Sequence, residues 1–68
     1  MIRENPYFFE NSNPAYVWVC DIYKKTLVSL GVKIIKSELG GRIGHFDKTA
    51  WCFLISVDDK EKVEGFIE

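Results

Sequence analysis

The densest grouping of residues that could hold a ligand is Lys36, Gly40, Gly41, Arg42, His45 and Lys48. Two adjacent glycines reach φ > 0 at both central positions of a tight hairpin without steric cost. The backbone N–H groups of a glycine-rich turn form concavities that suit phosphate or carboxylate. Arg42 would add charge-assisted hydrogen bonds to such an anion. His45 and Lys48 would follow on the return strand, with Lys36 across the hairpin. The chemistry implied is that of a small-anion or nucleotide sensor built on the Gly40–Lys48 hairpin. Gly-Gly-Arg-Ile-Gly-His is neither a Walker loop nor a dinucleotide fingerprint, because no strand–loop–helix context surrounds it. The same letters also describe a plain turn.

Other chemistry is harder to assemble. His45 is the single histidine, and its spacing to Cys20, Cys52 and Asp47 fits no zinc pattern. Nothing in the sequence activates either thiol for a Cys–His nucleophilic pair. No catalytic residue, metal or cofactor is therefore expected. Cys20 and Cys52 form no Cys-x-x-Cys motif and read as buried small hydrophobes in a reducing, cytoplasmic interior. Trp51 and Phe53, two apart on a strand, have the spacing of a platform for single-stranded RNA. The same pair packed against helices would be core.

Charge bears on partners. The net charge of −1 over 68 residues offers no overall positive field to steer a phosphate backbone, which argues against nucleic acid. Six basic residues between Lys24 and Lys48 face two acids, while five acids between Asp58 and Glu68 face two lysines. A basic middle and an acidic tail could meet between copies, or simply be two solvated faces. The N-terminus lacks the apolar stretch of a signal peptide, and no run approaches the roughly 20 apolar residues that span a bilayer.

The elements that would position these groups follow from patterning. With 47% apolar and 15% aromatic residues, the composition is that of a folded domain rather than a disordered segment. Residues 1–13 read as an N-terminal arm or edge strand around Tyr7-Phe8-Phe9. Ser12 or Asn13 before Pro14 is a helix-start signal. Tyr16, Val19, Cys20, Tyr23, Leu27 and Leu30 make a helical stripe, and Gly31 stands where a left-handed residue would end it. Against this, Tyr16-Val17-Trp18-Val19-Cys20 is rich in strand formers; the terminal signals favour a helix over Ala15–Leu30. Val32–Leu39 reads as a strand, Arg42–Phe46 as its short antiparallel return, and Asp47-Lys48-Thr49 as a turn. Ala50–Val57 is the strongest strand, apolar on both faces, and so central. Asp58-Asp59 opens a last helix that must dock on the sheet, with Val63, Phe66 and Ile67 as its apolar side.

The expectation is a single α+β domain: helix, three-stranded antiparallel meander, helix. The alternative is a mostly β small barrel. The element order resembles the ferredoxin-like plait of ACT-type and PII-like regulators in topology alone, with no motif of theirs present. A strand apolar on both faces, in a chain too small to cover both, together with an unpaired strand edge, implies self-association. The expected function is a non-enzymatic regulatory or partner-binding module acting as a homodimer, with a protein partner in view and no membrane. The alternatives are the anion sensor and single-stranded RNA binding on the sheet face.

Overall fold

The computed structural model describes residues 7–67, and the side chains of residues 7–66. The part of the expected arm at residues 1–6 and the side chain of Ile67 lie outside the described residues. Four strands form one open antiparallel sheet: β1 (Phe8–Glu10), β2 (Tyr16–Cys20), β3 (Lys36–Leu39) and β4 (Trp51–Ser56), in the order β1-β2-β4-β3. Helices α1 (Lys24–Ser29), α2 (Gly40–Ile43) and α3 (Val57–Ile67) are the other elements among the described residues, and a 3-10 turn at Asp21–Tyr23 leads into α1. The fold is α+β, as expected. It has four strands rather than three, β4 inserts between β2 and β3 instead of extending a meander, and the sheet does not close into a barrel.

The expected helix over Ala15–Leu30 divides in two. Its first part is β2, because Val17 and Val19 pack into one apolar cluster while Trp18 packs into another on the opposite face. A helix would bury one stripe of this segment, whereas a twice-covered strand buries Val17 through Cys20 without a gap. The stripe holds further on: Leu27 is fully buried, and Tyr23 and Leu30 pack against the same cluster. Gly31, at φ 68°, follows the helix in the left-handed region. The Asn13-Pro14 signal is a turn instead of a cap. Asn13 Oδ1 accepts from the Ala15 N–H at 3.0 Å, and Asn13 O accepts from the Tyr16 N–H at 3.1 Å, closing the β1–β2 hairpin.

β4 is the central strand expected from its two apolar faces. It pairs with β2 from Tyr16↔Ser56 to Cys20↔Cys52 and with β3 from Lys36↔Leu54 to Leu39↔Trp51. Phe53 and Ile55 join Val17, Val19, Leu27 and Val63 under α1 and α3. Cys52 and Leu54 join Trp18 on the other face, where Phe9, Tyr16 and Ile43 pack against them. The chain thus covers both faces of β4 itself, contrary to the expectation that the second face needs another copy. Trp51 departs from the expected core pair: it is 50% exposed, and Phe53 only 8%. β3 is shorter than Val32–Leu39, although the Ile35 N–H still donates to Leu54 O at 2.8 Å. α3 begins on acids as expected; Val63 is its buried anchor, and Phe66 is exposed.

Candidate functional site

Gly40 and Gly41 do not turn a hairpin. They open α2, neither has positive φ, and Arg42–Phe46 forms no strand; the antiparallel return from β3 is β4. The left-handed glycine of the segment is Gly44, at φ 79°, which ends α2 as the His45 N–H closes on Gly40 O at 2.8 Å. Gly40 is required for space. A Cβ there would collide with the Asp47 carbonyl oxygen and lie 2.9 Å from the His45 Cβ. The two glycine amides bind the following loop: Gly40 N–H donates to Ala50 O at 2.7 Å and Gly41 N–H to Lys48 O at 3.1 Å. The donors that an anion would use are thus engaged within the chain.

Lys36 and Arg42 both meet Glu38, at 3.5 and 4.0 Å. His45 is 2% exposed and packs against the rings of Phe9 and Phe46, at centroid distances of 4.1 and 4.4 Å. Its Nδ1 accepts from the Asp47 N–H at 3.0 Å, which assigns the ring proton to Nε2. Nε2 has no hydrogen-bond partner among the described residues. Asp47 is the exposed organiser of the turn. Its Oδ1 accepts from the Thr49 N–H and hydroxyl at 3.1 and 2.9 Å, and these bonds hold its carboxyl below the usual range. Lys48 supplies its carbonyl to Gly41.

Cys20 and Cys52 face each other across the β2–β4 ladder as free, buried thiols. Burial, reinforced by the charge of Cys20, pushes Cys52 up to about 11; burial likewise raises Cys20. Neither is an activated nucleophile. Among the described residues, no group of three or more His, Cys, Asp or Glu could hold a metal ion.

Two surface features remain. A cleft of about 310 Å³ lies between the β1–β2 turn and the start of α3, lined by residues including Glu10, Tyr16, Val57 and Lys60. None of its lining residues belongs to the Gly40–Lys48 segment, and its two charges oppose each other. The other feature is the β3 end of the sheet. β3 is an edge strand, and no described strand pairs with its outer side. Leu39 and Trp51, partners across the β3–β4 ladder, are 37% and 50% exposed, and Ile35, just before β3, is 45% exposed.

No protein family matches the chain, and no curated protein or solved structure matches it either.

An unpaired strand edge is expected from the sequence, and the three-stranded meander already leaves Val32–Leu39 at an edge; the structure differs in the strand beside it, which is β4 rather than Arg42–Phe46.

Proposed function

We propose that this chain is a non-enzymatic partner-binding module that works as a homodimer in a reducing, cytoplasmic interior. The observation that carries this reading is the exposed cross-strand pair Leu39 and Trp51 beside an unpaired strand edge, with Ile35 exposed four residues earlier in the chain. Large side chains exposed singly are ordinary, but grouped at an open edge they mark a contact surface. Of the two motives expected from sequence, the doubly apolar strand falls away, because both sheet faces are covered within the chain, and the unpaired edge is what remains. The unactivated thiols and the buried histidine support a role without covalent or acid–base chemistry.

The test is substitution at the patch. Leu39→Asp should shift light-scattering mass toward the single chain at concentrations where the unsubstituted protein is larger. An unchanged mass, with an unchanged thermal melt, would place the contact elsewhere.

A further inference from the structure

Resting on the homodimer reading, we propose that two copies pair antiparallel through β3, edge to edge, about a two-fold axis passing between their Ser37 residues. The backbone sets which residues can take part. The β3–β4 register runs from Lys36↔Leu54 to Leu39↔Trp51, and the next pair, Gly40 and Ala50, is hydrogen bonded at 2.7 Å. In an antiparallel strand, alternate residues direct both N–H and C=O to the same side. Counting back by twos from Gly40, Glu38 and Lys36 direct theirs to β4. Ser37 and Leu39 direct theirs to the open side; Ile35 breaks the alternation, because its N–H donates to Leu54 O at 2.8 Å and is not free for a second copy. A second β3 can bond there only in registers that set odd-numbered residues opposite odd-numbered ones.

Charge then selects among those registers. With Ser37 opposite its own copy, each Lys36 lies opposite the other copy's Glu38, giving two attractive pairs related by the axis. A slip of two residues one way sets Lys36 opposite Lys36. The same slip the other way sets Glu38 opposite Glu38. Like charges directly opposite are destabilising, so both slips are disfavoured. The segment Ile35-Lys36-Ser37-Glu38-Leu39 is therefore complementary to itself when reversed: apolar, cation, hydroxyl, anion, apolar. In this register the exposed Ile35 of one copy stands at the level of the exposed Leu39 of the other, but it gives that pairing no N–H, since its own is held by Leu54 O. Lys36 and Glu38 already meet within one copy at 3.5 Å, with the lysine side chain 57% and the glutamate 24% exposed. Exchange between copies replaces one ion pair by another. A lysine on an edge strand ordinarily blocks pairing; here, two residues from a glutamate, it fixes the register. Four residues of strand per copy make a small contact, so the dimer should dissociate in the micromolar range rather than be permanent.

Charge reversal and cross-linking test this together. Lys36→Glu and Glu38→Lys should each raise the dimer dissociation constant by about tenfold, because each converts two attractive pairs into repulsive ones. The double swap, Lys36→Glu with Glu38→Lys, restores the complementary pattern and should return the constant to near the unsubstituted value. Ser37→Cys should form a covalent dimer with oxidised glutathione as oxidant: two thiols lose two electrons and two protons, and the glutathione disulfide is reduced to two thiols. The unsubstituted chain, whose thiols are buried, should not. If the protein self-associates but neither reversal weakens it and Ser37→Cys does not cross-link, this register is wrong while the homodimer reading stands. If the unsubstituted chain stays single at every concentration, the homodimer reading fails, and this pairing with it.

Discussion

The amide of Gly40 donates to the carbonyl of Ala50 at 2.7 Å, joining the start of α2 to the residue that precedes β4. The contact leaves no room for a side chain at Gly40, whose Cβ would strike the Asp47 carbonyl. Gly40→Ala should therefore cost about 1–3 kcal/mol, the range for forcing an extra methyl into a packed site. Chemical denaturation checks this. Stability equal to the unsubstituted protein would mean that the loop is not held as described.

Phe53 and Trp51 should separate by mutation. Phe53→Ala, in the cluster beneath the helices, should cost on the order of 3–5 kcal/mol. Trp51→Ala removes a half-exposed ring and should change the melt little at low protein concentration. Equal losses in thermal denaturation would contradict the burial difference.

The thiols give a pH dependence. Cys52 is held at about 11, above the 9.0 of an unperturbed thiol, so the folded chain keeps a proton that the unfolded chain gives up. Its contribution to stability is whole below pH 9.0 and is lost as pH rises toward about 11. Cys20, also raised, acts in the same direction. Denaturation midpoints should fall across this window, and less steeply in Cys52→Ala, relative to its own midpoint at neutral pH. Alkylation at pH 8 should be slow in the folded protein and fast in denaturant.

Anions should have little effect. The Gly40 and Gly41 amides are engaged by Ala50 and Lys48, and Lys36 and Arg42 share Glu38. A panel of nucleotides, phosphate and dicarboxylates at millimolar concentration should leave the melting temperature unchanged, since only a ligand that prefers the folded state raises it. A dose-dependent rise abolished by Arg42→Ala would restore the anion sensor.

What the sequence made legible depended on whether the local signal had one structural meaning. Ala50–Val57 carried apolar residues at every position, and only a central strand satisfies that, so β4 was readable. Gly31 and Asp58-Asp59 likewise marked real helix ends. Tyr16–Cys20 satisfied two periods at once, and the deciding fact, coverage on both faces, belongs to tertiary packing. The Asn13-Pro14 pair bonds backbone amides in a turn with the same side-chain oxygen that would cap a helix. Gly40-Gly41 were expected to turn a hairpin at positive φ, whereas what Gly40 answers is a close approach of the chain's own loop at Asp47 and His45. Among the proposed site residues, His45 was singled out for its chemistry, whereas its surroundings are the rings of Phe9 and Phe46. Nothing in the local sequence around His45 brings Phe9 there; the β1–β2 pairing does.

Sedimentation equilibrium of the unsubstituted protein, from about 1 µM to about 1 mM, tests the homodimer reading most directly, since a small interface dissociates within that range. The account predicts a mass rising with concentration from the single-chain 7.9 kDa toward twice that value and no further. A constant 7.9 kDa throughout would contradict it.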